Sequence, residues 1–272
     1  MKRLVLLVTA ALTLAVAPRQ MPPRPSHVIV IVEENKSYRD IIGNIEDAPY
    51  INSLLPHAAL LTNSHAVAHP SQPNYMALFS GLQNSDGDSC AIDGVSPDAR
   101  NLGGEALKAG LTFVGYAEDL PGAGSDVCYS GQYARKHVPW VHFRDIPAAD
   151  SQPFANFPSF DRLPTIAFVI PNELNDMHSA SIERGDAWLA QHIDPLIAWA
   201  MKHNTLVVLT WDEDDGSNVN HIATLLLGPM VRPGRYDALA THYTILRTIE
   251  DMYRLAPAGA SATAVPLSGI FR

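Results

Sequence analysis

Four consecutive acidic residues follow directly on an apolar run in TLVVLTWDEDDG, residues 205–216: they are Asp212, Glu213, Asp214 and Asp215. The apolar and β-branched run predicts a strand that is buried on both faces. Adjacent carboxylates repel one another unless water, protons or a cation compensates their charge. The segment therefore predicts a cation site at the end of a strand, with a solvated acidic loop as the alternative.

Two other predicted strands end in polar groups that could share this site. The apolar residues 28–32 run into Glu34 and Asn35, and the apolar residues 165–170 are followed by His178. In open α/β sheets, ligands bind beyond the carboxyl ends of the strands, so these side chains are expected to meet. Their oxygen atoms suit Mg²⁺, Mn²⁺ or Ca²⁺, and Zn²⁺ is compatible where a histidine joins the carboxylates. Unrelated polar groups at strand ends are the alternative.

A serine stands at the predicted start of a helix in HPSQPNYMALFSG, residues 69–81. Pro73 has the position of a first helical residue, and the apolar residues after it predict a helical face. Ser71 would then lie just before the helix, where unpaired N–H groups and the helix dipole favour an anion such as phosphate. A serine beside a cation and a helix start fits phosphoryl transfer to an enzyme nucleophile. The alternative is that Ser71 only caps the helix.

Apolar runs that predict strands alternate with segments that predict helices. Strands are expected at 28–32, 58–61, 112–116, 165–170, 206–209 and 222–227, and helices at 49–55, 104–109 and 243–255. A long helix is expected from Gly185, and Pro195 should kink or restart it. This alternation indicates one α/β domain with helices on both faces of the sheet.

The amino-terminal segment is typical of an export signal. Lys2 and Arg3 precede an apolar stretch, residues 4–16, that is too short for a comfortable membrane span. Ala-Val-Ala at 15–17 fits the cleavage rule, so we expect removal of residues 1–17 and a secreted or extracytoplasmic protein. An uncleaved anchor is the alternative. No stable membrane span is expected in the mature chain.

Cysteine content and charge narrow the chemistry further. In an exported chain, Cys90 and Cys128 predict one disulfide, and a metal site is the weaker alternative. The net charge of -9 argues against a nucleic-acid partner, because binding to a phosphate backbone needs a basic face. A small phosphorylated substrate stays compatible, since a bound cation reverses the local field. The sequence has no G-x-S-x-G, Walker A or H-E-x-x-H motif, which disfavours the usual serine hydrolases.

Five motifs in this order resemble the phosphoesterase family that contains bacterial acid phosphatases and phospholipases C. They are VEEN (32–35), HPSQPNY (69–75), PNELNDMH (171–178), TWDEDDG (210–216) and THYTILRTIED (241–251). With YARKHVPW (133–140), they are similar in particular to a secreted mycobacterial branch that dephosphorylates phosphatidylinositol 3-phosphate. The resemblance implies an alkaline-phosphatase-like α/β fold, with a sheet sandwiched between helices, over residues 26–272.

The resemblance also implies a role for each candidate residue. The implied ligands of a divalent metal ion are Glu34, Asn35, Asp212 and Glu213. Ser71 would be the nucleophile that forms a phosphoserine, and His178 would be the general acid for the leaving group. His69 and Asn74 would contact phosphate oxygens. The second choices are Asp176, His221 and His242.

The sequence leaves one ligand assignment open and departs from the resemblance at two positions. Four adjacent acids leave open whether Glu213, Asp214 or Asp215 is the second ligand of that segment. Gln72 stands where the resemblance implies Glu, and Ser179 stands where it implies an acidic residue.

The sequence thus predicts a secreted acid phosphatase that hydrolyses phosphomonoesters with the help of a divalent metal ion. Phosphatidylinositol 3-phosphate is a candidate substrate through the resemblance alone. The rival predictions are a phosphodiesterase of the phospholipase C type and a non-catalytic secreted protein that binds calcium. Only the last of these would have no use for Ser71.

Overall fold

Apolar strands form the centre of the molecule, as seen in a computed structural model that describes residues 21–84 and 87–272. The predicted signal segment lies outside the described residues. The strands are β1 His27–Glu33, β2 Ala59–Leu61, β3 Ser64–His65, β4 Phe113–Ala117, β5 Tyr129–Ser130, β6 Tyr133–Ala134, β7 Ser151–Pro153, β8 Ile166–Ile170, β9 Thr205–Trp211, β10 Thr224–Leu227, β11 Gly234–Tyr236 and β12 Ala240–Thr241.

Eight of these strands form the main sheet, in the order β11-β2-β10-β9-β1-β8-β4-β7. Strands β9, β1, β8, β4 and β7 are parallel, whereas β10 runs antiparallel to its neighbours β9 and β2. The central strands β8 and β9 are buried along their whole length because both sheet faces are covered. Two further pairs, β12 with β3 and β5 with β6, form small sheets of their own.

Helices cover both faces of the main sheet. They are α1 Tyr38–Ile41, α2 Pro49–Leu54, α3 Ser71–Ser80, α4 Leu102–Lys108, α5 Ile182–His192, α6 Asp194–Ala200 and α7 His242–Tyr253. Alternate residues of β1 face opposite cores: Val30 packs with residues of α3 and α7, and Ile31 packs with residues of α2, α5 and α6. The predicted sandwich of a sheet between helices is confirmed.

Most predicted elements are present, with ends that differ by a few residues. Helix α5 begins three residues before Gly185, and Pro195 is the second residue of α6, so the long helix is restarted there as predicted. The predicted start of α3 is wrong. Pro70 is the cap residue and Ser71 is the first helical residue, so Pro73 occupies the third position instead of the first.

Cys90 and Cys128 form the predicted disulfide. It connects the segment after α3 to the start of the β5–β6 hairpin. In the described part of the chain, no helix combines the length and the apolar character that crossing a membrane requires.

Candidate active site

The register of the central strands places Glu34, Asp176 and Asp212 at one edge of the sheet. Glu33 of β1 is paired with Trp211 of β9, and the N–H of Asp212 donates to the carbonyl of Glu33 at 2.9 Å. On the other side of β1, the N–H of Glu34 donates to the carbonyl of Asp176 at 2.7 Å. The carboxyl ends of β9, β1 and the segment after β8 therefore meet, as the sequence predicts.

Ser71 brings its hydroxyl to this edge from the start of α3. Its Oγ donates to Glu34 Oε2 at 2.9 Å and lies 3.0 Å from Glu213 Oε1. The serine is only 1% exposed. Its side chain does not cap the helix that it begins. The alternative interpretation of Ser71 as a capping residue is therefore wrong, and the hydroxyl is committed to two carboxylates.

Asp212 and Asn35 are joined through the backbone. The N–H of Asn35 donates to Asp212 Oδ1 at 3.1 Å, and Asn35 has a φ of 53°, a left-handed conformation that asparagine tolerates better than most residues. Among the described residues, the second carboxylate oxygen of Asp212 is buried and has no hydrogen-bond partner. A buried carboxylate oxygen without a donor is costly unless a cation or a proton satisfies it.

Burial and neighbouring negative charges disfavour ionisation of Glu34, Asp212 and Glu213. Burial raises the pKa of Glu34 well above its ordinary value, and the charge of Asp176 raises it further. Burial also raises the pKa of Asp212, to which the charges of Glu34 and Glu213 add, and burial raises the pKa of Glu213. A divalent cation between these carboxylates would remove the repulsion, so the donor set fits the predicted metal ion.

His69 lies against Glu213 on the open side of the site. Its Nδ1 hydrogen-bonds to Glu213 Oε2, and its Nε2 lies 3.0 Å from the carbonyl of Ser217. Burial lowers the pKa of His69, but the bonds to Ser217 and Glu213 outweigh burial, and the pKa is raised. His69, Asn35 and Glu213 line a depression that opens to solvent, together with residues 214–216.

Asn74 holds the chain that precedes Ser71. Its Oδ1 accepts from the N–H groups of Val67 and Ala68, both at 3.0 Å, and its Nδ2 donates to the carbonyls of Ala68 and Pro70. Both ends of the amide are thus used within the protein. Asn74 fixes the approach to the serine, and its contact with phosphate stays a prediction.

His178 and Lys136 lie together beside Asp176. His178 follows β8, its N–H donates to Asp176 Oδ1 at 2.8 Å, and its Nδ1 lies 2.9 Å from Ser179 Oγ. The Nζ of Lys136 lies 3.4 Å from His178 Nε2. Burial and the charge of Lys136 lower the pKa of His178.

His137 lies between Glu34 and Asp176. Its Nε2 is 3.1 Å from Glu34 Oε1, and its Nδ1 is 3.6 Å from Asp176 Oδ2. The contact between His137 Nε2 and Glu34 Oε1 lacks hydrogen-bond geometry, and the contact of His137 Nδ1 with Asp176 Oδ2 is too long for a hydrogen bond. Among the described residues, His137 Nε2 and Asp176 Oδ2 therefore have no hydrogen-bond partner. Burial, followed by the charges of Lys136 and His178, lowers the pKa of His137 well below its ordinary value.

A neutral imidazole is a metal ligand, and the positions of His137 and His178 allow that role. One ligand atom from each of Glu34, His137 and His178 lies within 4.8 Å of the others, so these three residues could hold a metal ion. Glu34 belongs both to this group and to the predicted ligand set of Asn35, Asp212 and Glu213. The site can therefore hold a metal ion, and the carboxylate of Glu34 is common to both sets.

The remaining acids of the 212–215 run have other partners. Asp214 accepts from the N–H groups of Gly216 and Ser217 at 3.0 and 2.8 Å, which shapes the loop after β9. Asp215 is exposed and lies 3.8 Å from Arg39 in a surface ion pair.

Two of the second-choice residues also have structural contacts. His242 Nε2 donates to the carbonyl of Asp212 at 2.6 Å from the start of α7. His221 stacks on Tyr38 and on His65, and its Nε2 lies 3.1 Å from the carbonyl of Thr62.

The sequence pattern of the Phosphoesterase family matches residues 44–256, most of the chain. The chain belongs to the Phosphoesterase family. The sequence-based expectation of a phosphate-ester hydrolase in this family is confirmed.

Two relatives bear phosphatase names. The phosphatidylinositol-3-phosphatase of Mycobacterium tuberculosis is 48% identical over 255 residues, which are 92% of this chain and 84% of that protein. An acid phosphatase of Aspergillus fumigatus is 29% identical over 248 residues, which are 83% of this chain and 54% of that protein. The chain therefore spans about half the length of the fungal enzyme.

Solved structures share the fold at low sequence identity. A protein of the alkaline phosphatase superfamily from Vibrio parahaemolyticus has a TM-score of 0.65 and 12% identity, over 91% of this chain and 72% of that chain. The C-terminal periplasmic domain of EcEptC from Escherichia coli, in complex with zinc, has a TM-score of 0.57 and 12% identity, over 88% of this chain and 87% of that chain. The expected alkaline-phosphatase-like fold is confirmed.

Sequence reasoning missed three residues of this phosphoesterase site: Lys136, His137 and Tyr75. The first two lie on a short 3-10 turn after the β5–β6 hairpin, in a segment without helical or strand periodicity. Both belong to the motif YARKHVPW (133–140), which carries part of the resemblance, but the sequence assigned them no role. Tyr75 is hidden by its place in the apolar face of α3, yet its hydroxyl donates to Glu34 Oε1 at 2.5 Å.

Proposed function

We propose that this phosphoesterase is an exported acid phosphatase that hydrolyses phosphomonoesters through a phosphoserine on Ser71, assisted by a divalent metal ion. The observation that carries the proposal is the buried Ser71 hydroxyl between the carboxylates of Glu34 and Glu213. A serine with two proton acceptors and a fixed position is suited to nucleophilic attack on phosphorus.

The first half of the reaction uses Ser71 as nucleophile. Its Oγ forms a bond to phosphorus while the bond from phosphorus to the leaving oxygen breaks, and the serine proton passes to Glu34 or Glu213. Tyr75, one helical turn further on, holds Glu34 in place through its hydroxyl. Asn74 holds residues 67–70 and so fixes the backbone from which Ser71 projects.

The proposed metal ligands are Glu34, Asn35, Asp212 and Glu213. Their fit to a cation rests on the buried, unpartnered oxygen of Asp212 and on the raised pKa of the three carboxylates. When bound, the ion would supply positive charge that lowers the pKa of the serine hydroxyl and neutralises phosphate charge. Mg²⁺, Mn²⁺, Ca²⁺ and Zn²⁺ are all compatible with these oxygen and imidazole donors.

His178 is the proposed proton donor for the leaving group. It lies in the segment after β8, and its backbone is fixed by Asp176. Once the alcohol has left, a water molecule attacks the phosphorus of the phosphoserine and gives a proton to His178. The bond from phosphorus to Ser71 Oγ then breaks, Oγ takes its proton back from Glu34 or Glu213, and phosphate is released. His69 is proposed to contact the phosphate oxygens from the open side.

Lys136 and His137 add to this set of phosphate-binding groups. Lys136 is a buried residue, 8% exposed, and its Nζ faces His178, so its charge acts in a site that is partly shielded from water. A positioned ammonium is a common partner of phosphoryl oxygens.

The substrate class follows from the relatives. Phosphatidylinositol 3-phosphate is a candidate because a relative of 48% identity is a phosphatidylinositol-3-phosphatase. Export is supported by the Cys90–Cys128 disulfide, since disulfides persist in oxidising compartments.

One experiment tests the activity against its rivals. Purified protein is assayed on a chromogenic phosphomonoester and on the matching phosphodiester, with and without a chelator, beside the variants Ser71→Ala and Ser80→Ala. We expect chelator-sensitive turnover of the monoester that Ser71→Ala lowers by roughly a thousandfold or more. Ser80 is also buried on α3, where its hydroxyl donates to the Met76 carbonyl at 2.8 Å, and its replacement should leave turnover nearly unchanged.

Each rival has its own outcome. Preference for the diester would support a phosphodiesterase, and calcium binding without turnover of either ester would support a binding protein. Monoester turnover that survives Ser71→Ala would exclude the phosphoserine mechanism. An acid quench during turnover, followed by mass spectrometry, should find the added phosphate on the peptide that contains Ser71.

A further inference from the structure

The start of α3 offers few backbone donors to a phosphate. The N–H of Gln72 already donates to Asp88 Oδ1 at 3.0 Å. Pro73, the third helical residue, has no N–H. Of the first three helical residues, only Ser71 can therefore present an N–H to an anion, so phosphate charge must be met mainly by side chains.

The other oxygen of Asp88 binds the lysine of the site. Lys136 Nζ donates to Asp88 Oδ2 at 2.9 Å and lies 3.4 Å from His178 Nε2. Asp88 thus joins the helix that carries Ser71 to the ammonium that faces the proposed general acid.

The loop that carries Asp88 is attached to α3 by the side chain of Gln72. Gln72 Nε2 donates to the carbonyl of Ser89 at 2.7 Å, and its Oε1 accepts from Asn84 Nδ2 at 2.7 Å. A glutamate at this position could not donate to Ser89. The amide therefore has a structural reason here, where the resemblance implies an acid.

The disulfide connects the same loop to the segment that carries Lys136. Cys90 is two residues beyond Asp88 and is bonded to Cys128, whose carbonyl accepts from the N–H of Arg135 at 2.9 Å. The segments that carry Asp88 and Lys136 are therefore joined by the disulfide and by a backbone hydrogen bond, in addition to the ion pair between the two side chains.

We propose that Asp88 is a positioning residue that holds the Lys136 ammonium against the phosphoryl group of the substrate. The proposal rests on the proposed function, because it takes the pocket beside Ser71 as the phosphate site. Asp88 acts through Lys136 and does not itself touch the substrate. Without the carboxylate, Lys136 has several rotamers available, and holding it beside His178 costs conformational entropy on each binding event.

A purely structural role for Asp88 predicts a different result. If Asp88 only closes the loop and caps α3, its replacement lowers stability whether or not Lys136 is present. Asp88→Asn separates the two roles, since an asparagine oxygen still accepts from Gln72 but no longer offers a charged partner to Lys136.

The test is a double-mutant cycle with inorganic phosphate as the probe. Titration calorimetry measures phosphate binding to the full chain with a fixed divalent ion, for wild type, Asp88→Asn, Lys136→Met and the double variant, and monoester KM and kcat are measured in parallel. Asp98→Asn is the matched control, because Asp98 lies in an exposed ion pair with Arg144 at 2.7 Å. Thermal unfolding checks every variant, and Asp88→Ser replaces Asp88→Asn if the latter is unstable.

We expect Asp88→Asn to weaken phosphate binding and raise KM about tenfold, with a smaller change in kcat. In the Lys136→Met background the same change should have almost no effect, and Asp98→Asn should stay within about twofold of wild type. An equal loss in both backgrounds, or no loss in wild type, overturns the proposal. If coupling is present but no monoester is hydrolysed, Asp88 still positions Lys136 for phosphate and the proposed function fails alone.

Discussion

Ser71 and Tyr75 lie one turn apart on α3, and both hydroxyls donate to the carboxylate of Glu34. Ser71 Oγ is 2.9 Å from Oε2, and the Tyr75 hydroxyl is 2.5 Å from Oε1. Residues four apart on a helix share a face, so a single face of α3 meets the end of β1. The position of the serine is therefore determined by how α3 packs on the sheet.

Replacing Tyr75 by phenylalanine should lower kcat/KM for a phosphomonoester by about tenfold. The Glu34 carboxylate would lose a hydrogen-bond donor in a buried site and could turn away from Ser71. Steady-state kinetics at saturating divalent ion measure the effect, and thermal unfolding checks the fold. Unchanged kcat/KM would mean that other groups suffice to hold Glu34.

Tyr133→Phe is the matched control for this change. Tyr133 is also buried, but its hydroxyl has no hydrogen-bond partner among the described residues. Removing an unpartnered buried hydroxyl should be neutral or slightly stabilising, with activity within about twofold of wild type.

Asp212→Asn should weaken binding of a divalent ion by at least about tenfold to a hundredfold. The variant removes a proposed charged ligand whose second oxygen has no partner among the described residues. In chelator, the variant should be at least as stable as wild type, because burial raises the pKa of Asp212 and the variant has no charge to bury. Calorimetric titration with Mn²⁺ or Mg²⁺ and denaturant unfolding measure the two effects.

Asp215→Asn separates this effect from a general loss of negative charge. Asp215 is exposed and paired only loosely with Arg39, at 3.8 Å. Its replacement should leave ion affinity within about twofold, since exposed ion pairs contribute little. Equal losses for Asp212→Asn and Asp215→Asn would indicate a diffuse acidic surface without a specific site.

Replacing both Cys90 and Cys128 by serine should lower the free energy of unfolding by about 3 to 4 kcal/mol. The bond closes a loop with a sequence separation of 38 residues, and the chain entropy of the unfolded state rises when it is lost. Urea unfolding of the double variant, compared with reduced wild-type protein, measures the loss. Equal stability of oxidised and reduced wild type would contradict it.

The strands of this site could be predicted from the sequence because each one is a continuous run of mostly apolar residues. Continuous apolar runs at β1, β8 and β9 reveal burial on both faces, and parallel strands bring their carboxyl ends to one edge. The antiparallel direction of β10 could not be predicted, because a buried strand has the same continuous apolar run whether it lies parallel or antiparallel to its neighbour.

Side chains that reach the site from irregular segments could not be placed in the same way. Lys136 and His137 depend on a disulfide and on hydrogen bonds to distant segments, which leave no periodic pattern. The start of α3 was misplaced because a proline is favoured in the whole first turn of a helix, and Pro73 fits its third position as well as its first.

We expect Glu250, which is not one of the site residues, to make the stability of the protein depend on pH. This α7 residue is 1% exposed, and its carboxylate accepts from the N–H of Ala258 at 2.8 Å and from Ser261 Oγ at 2.6 Å. Burial raises the pKa of Glu250 to about 7, although these two hydrogen bonds and Arg247 lower it. Because the folded pKa lies above that of the unfolded chain, the stability it contributes is complete below about pH 4.5 and is lost as the pH rises through about 7.

Glu250→Gln should remove this loss. Glutamine can still accept from Ala258 and can donate to Ser261, but it does not ionise. Between pH 5 and pH 8.5, wild type should therefore lose about 2 kcal/mol more unfolding free energy than the variant. Urea unfolding in chelator across this range measures the difference, with Glu183→Gln, an exposed change on α5, as the control that follows wild type. Parallel curves for wild type and Glu250→Gln would show that Glu250 does not titrate in this range.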